Sequence, residues 1–365
     1  MKNKTLLMIP GPTPVPEDVL LEMAKAPVPH RSSEFSKLFD EVNEDLKMVF
    51  QTKNDVFIFA SSGTGAMDAA LSNLINIGDK VLSLVIGNFG DRWAKIAESH
   101  GANVEKIVVP FGEVVAPEVL RKRLEEDVNK EIKIVTLTHS ETSTGAKNDV
   151  KALCALIKEH GALSVVDGVT SVGAMDIKTD EWGVDVLVSG SQKGFMIPPG
   201  LAFLTASNKA FEVHKQCKYP GFYFNWSSYK KSLEQHTTPY TPAINLVVAL
   251  HTALKMIREE GLENVLARHK SNAMLLRNSL KEMGIKLFVE DDEKASFAVT
   301  SVLPPDGISV PDVRRILKDD YDIIVANGQK DLKDKIFRIG TLGFVSERDV
   351  LTVIGALQAT FKKLK

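Results

Sequence analysis

The chain has 365 residues, of which 44% are hydrophobic and 25% charged. That length suits about two domains with a sizeable core, and the apolar share excludes a disordered chain. Its 45 basic and 47 acidic residues give a formal charge of −2, which lacks the electrostatic footprint of a nucleic-acid binder.

Two cysteines, Cys154 and Cys217, supply neither a disulfide framework nor a Cys-rich metal site, and no metal is expected. The run Leu6-Leu7-Met8-Ile9-Pro10 is too short for a signal-peptide core. No stretch approaches the ~18 apolar residues of a membrane span. A reducing, cytoplasmic compartment is the expectation.

The elements follow in chain order. Pro10 to Pro16 holds four prolines in seven residues, which forbids a helix or central strand and predicts an ordered, extended arm. A short helix is expected over Glu17 to Lys25, and a longer one over Phe35 to Phe50. Strand patterns then cover Val56 to Phe59, Lys80 to Ile86, Val104 to Val109, Ile132 to Thr138, Leu163 to Val166 and Val184 to Ser189. Helical patterns fall between them at Met67 to Ile75, Asp91 to His100, Pro117 to Val128 and Asp149 to His160. This alternation predicts an α/β fold, a mainly parallel sheet covered on both faces. After Thr241 the pattern changes. Two long helices are expected over Ala243 to Glu260 and Leu262 to Met283. Strand-like Lys286 to Val289 and Phe297 to Leu303 follow, then a helix over Pro311 to Leu317. Short strands at Ile323 to Ala326 and Ile336 to Ile339 precede a final helix over Glu347 to Phe361. The expected division is a large domain over 17–250 and a smaller C-terminal α+β domain over 251–365. The arm, 1–16, packs near the active site.

Three segments carry chemistry. Ser61-Ser62-Gly63-Thr64-Gly65 follows a buried strand and opens a helix, so free N–H groups and hydroxyls there suit a phosphate. Leu163-Ser164-Val165-Val166-Asp167 ends a hydrophobic strand in an acid, at the edge where α/β sheets bind ligands. Ser189-Gly190-Ser191-Gln192-Lys193 places a lysine just past another buried strand, where desolvation frees the amine as a nucleophile. One ligand meets all three demands: pyridoxal 5′-phosphate, with a phosphate, a carbonyl for Lys193 and a ring nitrogen for Asp167.

With these segments the chain resembles class V, fold-type I pyridoxal-phosphate aminotransferases, nearest the alanine–glyoxylate and serine–glyoxylate (serine–pyruvate) group. The resemblance covers essentially the whole chain. It includes Pro10-Gly11-Pro12-Thr13, Ser62-Gly63-Thr64 and Thr138-His139-Ser140-Glu141-Thr142-Ser143-Thr144-Gly145. It continues through Val166-Asp167, Ser189 to Lys193 and Phe337-Arg338-Ile339-Gly340. The resemblance implies that Lys193 bonds the cofactor's carbonyl carbon and that Asp167 pairs with the ring nitrogen. Ser62, Gly63 and Thr64 would hold the phosphate, with Gln192 near the phosphate or the ring oxygen. Phe89 would stack on the ring, where the group often has Trp. Ser143 is the first choice to face the 3′-oxygen, with Thr142 the alternative. Arg338 would bind the substrate α-carboxylate, and the arm at Gly11 and Thr13 would close over the substrate. Thr241, with Tyr240 beside it, would reach the phosphate of a neighbouring subunit, which implies a homodimer.

The implied reaction moves an amino group from serine or alanine to glyoxylate or pyruvate. No second arginine offers itself for a distal carboxylate, which favours those neutral donors. Asp91-Arg92 is read as a helix-start pair, a cap with a surface charge, and His139 as a structural hydrogen-bonder. The alternatives are a transaminase for aspartate or an aminophosphonate, or a non-catalytic subunit that retains the fold.

Overall fold

The computed structural model describes residues 5–364. In chain order the strands are β1 (Leu6–Met8), β2 (Val56–Ser61), β3 (Lys80–Val85), β4 (Asn103–Val108) and β5 (Ile132–Thr138). A small hairpin, β6 (Ser140–Glu141) and β7 (Ala146–Lys147), follows. Then come β8 (Leu163–Asp167), β9 (Val186–Gly190), β10 (Gly200–Ala206), β11 (Val299–Val302), β12 (Ile323–Asn327) and β13 (Phe337–Gly340).

Seven strands form the large sheet in the order β2-β10-β9-β8-β5-β3-β4. Only β10 runs against its neighbours, so the other six share one direction. Their side chains alternate between two cores. On β9, Val186 and Val188 pack on one face and Leu187 on the other. Helices cover both faces, as a buried parallel sheet requires. Ordinary signals bound them. Ser32 caps Ser33–Phe50 by accepting from the Phe35 N–H at 3.2 Å. Asp149 caps Val150–His160, which ends at Gly161 with φ +99°.

The strand at Gly200–Ala206 was not expected, nor were the helices Asn208–His214 and Trp226–Leu233. Lys286 to Val289 is not a strand: it makes one isolated bridge, Leu287 to Val302.

The small sheet has the order β1-β12-β13-β11 and its own core, to which Met8 contributes. The arm therefore begins as an edge strand of this sheet, Leu6 pairing with Ile323. The expected boundary between 250 and 251 falls inside the helix Ile244–Glu260. Leu250, Ala253, Leu254 and Ile257 of that helix are buried in the large core. The next helix, Leu262–Glu282, spans both cores, with Val265 buried in the large one and Leu276 and Leu280 in the small one.

Candidate active site

Because six strands point the same way, their C-terminal ends gather at one edge of the sheet. There β2 delivers Ser62 to Thr64, β3 leads to Phe89, β5 to Thr142, β8 ends in Asp167 and β9 leads to Lys193. A cavity of about 120 Å³ opens among them. Its walls include Ser62, Gly63, Thr64, Phe89, Thr142, Asp167, Gln192 and Lys193, all expected from the sequence. Met67, Arg92, Val169 and Thr170 complete it.

Lys193 is buried, and its Nζ donates to the Pro10 carbonyl at 2.6 Å. Burial, helped by the Arg338 charge and opposed by Asp167, pushes its amine down to about 8. The arm is fixed against it. Thr13 N–H donates to the Gln192 carbonyl at 3.1 Å, and Thr13 Oγ1 donates to the Lys193 carbonyl at 3.0 Å. Gly11 has φ +144°, and a Cβ there would lie 2.6 Å from Lys193 Nζ. Glycine is the residue that lets the arm pass so close.

Asp167 is buried and accepts from the Val169 N–H at 2.8 Å. Burial pushes its carboxyl up to about 7. The Val169 N–H pulls it back, the Glu141 charge adds to the rise, and Arg92 and Lys193 oppose it. Asp167 and Lys193 are thus a facing acid and base with values drawn toward each other.

The helix Gly63–Ser72 starts without a side-chain cap, so its first N–H groups are available at the cavity. A Cβ on Gly63 would lie 2.8 Å from Val169 Cγ2, which explains the glycine in this turn. Gln192 Oε1 is buried without a partner among the described residues.

Between Thr142 and Ser143 the structure favours Thr142. Its Oγ1 lies 2.6 Å from Thr170 Oγ1 in the cavity wall. Ser143 is buried behind, donating its Oγ to Glu141 Oε1 at 2.5 Å. Glu141 is an unforeseen organiser. Its buried carboxylate accepts from Ser143 N–H at 3.1 Å, Phe89 N–H at 3.0 Å and Gly90 N–H at 3.2 Å as well. It therefore caps, from another element, the helix Asn88–Ser99 that has no side-chain cap of its own. Burial pushes its carboxyl up while the four donors pull it down. Burial outweighs them, so the carboxyl stands above its ordinary value.

Arg338 on β13 is buried. Its Nε donates to the Asn327 carbonyl and its Nη1 to the Thr142 carbonyl, each at 2.9 Å. Burial lowers it to about 10. It stands behind the cavity wall beside Lys193. Arg92 is not the surface charge expected of it. Its Nη1 donates to Thr64 Oγ1 at 2.7 Å, and its guanidinium carbon lies 4.6 Å from the Phe89 ring centroid. It sits three residues after Phe89 on one helix, a spacing that puts both on one face. His139 is buried, with Nδ1 unpartnered among the described residues, and burial pushes its pKa down to about 3, so it is neutral. It does not line the cavity.

Tyr240 and Thr241 are not at this cavity. Tyr240 stacks on Tyr223 at 5.1 Å and donates to the Phe222 carbonyl, and Thr241 is exposed.

Residues 6–341 match the family model of class V aminotransferases. The chain belongs to that family, and it is an aminotransferase of the fold-type I pyridoxal-phosphate architecture. It is 47% identical over 365 residues to a soluble hydrogenase 42 kDa subunit of Anabaena cylindrica, covering 100% of this chain and 95% of that protein. It is 40% identical to the serine–glyoxylate aminotransferase of Hyphomicrobium methylovorum, over 98% of this chain and 89% of that one. The crystal structure of an alanine–glyoxylate aminotransferase from Nostoc sp. superposes with a TM-score of 0.93 at 36% identity, over 99% of this chain and 96% of that chain. The cofactor is pyridoxal phosphate, and the uncapped helix start, the buried amine and the buried acid fit its three polar ends. Among the described residues no helix is long and apolar enough to cross a membrane.

Proposed function

We propose that this aminotransferase moves the amino group of a small amino acid, serine or alanine, to glyoxylate or pyruvate. The observation that carries the reading is the buried Lys193 amine, depressed to about 8 and facing Asp167 across a small cavity. The likeness to the serine–glyoxylate aminotransferase of Hyphomicrobium methylovorum supports the small donors.

The bound cofactor supplies an electron sink and carries the amino group between the two substrates. The chain's residues do the rest. Ser62, Gly63 and Thr64, with Gln192, would hold the phosphate at the helix start. Phe89 would cover the ring, and Thr142 would serve the 3′-oxygen. Asp167 holds a proton at the ring nitrogen. Lys193 Nζ, half neutral at pH 8, takes the proton from the donor's Cα and returns it as an acid. Arg338 binds the α-carboxylate and fixes which Cα bond faces Lys193. Gly11 and Thr13 close the arm over the substrate and exclude water. Thr241, with Tyr240, serves the partner subunit's cavity in a cytoplasmic homodimer.

The hydrogenase-subunit name of one relative supports a second reading, a fold kept without catalysis. The simultaneous presence of Lys193, Asp167 and Arg338 favours the catalytic one. Borohydride reduction of the holoenzyme, followed by peptide mass mapping, separates them. The catalytic reading expects the cofactor's mass on the peptide containing Lys193, with Lys193→Ala inactive but folded. Full turnover by Lys193→Ala overturns it.

A further inference from the structure

Arg92 stands where two cavities meet. It lines the Lys193 cavity and also an outer cleft of about 340 Å³ bounded by Asn88, Asp91, Lys95, Gln329 and Lys330. The cleft lies between the first turns of the helix Asn88–Ser99 and the loop after β12. Its three cations face one carboxylate, a formal surplus of two positive charges.

That carboxylate is already engaged. Asp91 lies 2.7 Å from Lys95 Nζ, 3.5 Å from Lys106 Nζ and 3.8 Å from Lys330 Nζ. Arg92 has no acidic partner among the described residues. Its contacts, the Thr64 hydroxyl and the Phe89 ring, aim the guanidinium without neutralising it. A guanidinium so placed offers a planar fork to an acid group. The small-domain wall of the cleft is also continuous with Arg338. Arg338 Nε holds the Asn327 carbonyl, and Gln329 and Lys330 follow two and three residues later.

We infer that Arg92 and the cleft behind it take a second acidic group of the amino donor. This rests on the aminotransferase reading above and extends its donors to acidic amino acids such as aspartate, one carboxylate larger than alanine. Arg338 then holds the α-carboxylate, Lys193 faces Cα, and Arg92 reads the distal acid. The other anion within its reach is a phosphate held at Thr64, and the test separates the two.

The holoenzyme is titrated with succinate and with butyrate, four-carbon acids that differ by one carboxylate, and binding is followed by the cofactor's absorbance. Steady-state kcat/KM is measured for aspartate and for serine, and cofactor affinity by equilibrium dialysis. The wild type is expected to bind succinate at least about tenfold more tightly than butyrate. Arg92→Gln is expected to abolish that preference and to lower the aspartate-to-serine ratio of kcat/KM at least about tenfold. Equal binding of the two acids by the wild type overturns the inference. So does an Arg92→Gln variant that loses cofactor affinity with the aspartate-to-serine ratio unchanged, which assigns Arg92 to the phosphate. If Arg92→Gln does not fold, Lys330→Glu, across the cleft, is expected to lower the succinate-to-butyrate preference about fivefold, and no change there overturns it. Failure of the underlying reading looks different: no amino acid, acidic or neutral, would alter the holoenzyme's absorbance.

Discussion

Glu141→Gln tests whether one buried carboxylate organises the site. The side chain keeps its shape, but one oxygen becomes an NH₂. In the wild type one oxygen accepts from Phe89 and Gly90 N–H, and the other accepts from Ser143 N–H and Oγ. With the NH₂ toward the helix start, the Phe89 and Gly90 N–H groups both face a donor; turned the other way, the Ser143 hydroxyl accepts from it and only the Ser143 N–H is left facing a donor. The amide takes the second orientation, and one unsatisfied buried donor costs about 1–3 kcal/mol. At about 2.1 cal/mol/K per residue of unfolding entropy, this lowers Tm by about 1–4 °C. Differential scanning calorimetry of the apoprotein measures it. The loss should be accompanied by weaker cofactor retention, because the helix start carrying Phe89 and Arg92 is loosened. A Tm within about 1 °C of the wild type, with cofactor affinity unchanged, would refute the reasoning.

Three further outcomes are expected. Cofactor uptake by the apoprotein should accelerate with pH around a midpoint near 8. The free amine is the nucleophile, and burial has moved Lys193 down from its ordinary 10.5. Stopped-flow absorbance reads the profile, and a midpoint near 10.5 contradicts the buried amine. Gly11→Ala should lower kcat by about 100-fold with the fold retained, because its Cβ would lie 2.6 Å from Lys193 Nζ. Near-wild-type turnover there means the arm does not press on Lys193. Arg338→Lys should lower kcat/KM for carboxylate substrates by about 10–100-fold. An ammonium cannot reproduce a fork that holds the Asn327 and Thr142 carbonyls as well. Unchanged kinetics would assign the carboxylate elsewhere.

The alternating strands and helices of the large domain were legible because buried parallel strands are short apolar runs between turn residues. Gly200–Ala206 is such a run too, bounded by Pro198-Pro199 and Ser207, yet its antiparallel direction is invisible in the residues. Leu6–Met8 could not be read as a strand locally, since its partner begins at Ile323. Lys193, Asp167 and Ser62 to Thr64 were legible because each directly follows a strand end. The choice between Thr142 and Ser143 depends on how a tight hairpin turns, and adjacent residues point opposite ways. Arg92 was missed although its spacing from Phe89 carried the signal. A charge three residues after a ring on one helix faces whatever the ring faces. Glu141 gave no signal, because two of its four donors, the Phe89 and Gly90 N–H groups, come from a helix start far away in sequence. Tyr240 and Thr241 lie outside the Lys193 cavity of their own chain, and nothing in their local sequence shows that.

The central claim is that Lys193 and its surroundings pass an amino group between an amino acid and a 2-oxo acid. A half-reaction screen tests it most directly. The holoenzyme is mixed with serine, alanine or aspartate without acceptor, and its absorbance is followed before and after adding glyoxylate or pyruvate. The account predicts conversion by the amino acid, release of the matching 2-oxo acid, and reversal by the added one. A protein that takes up the cofactor yet answers none of the three would contradict it.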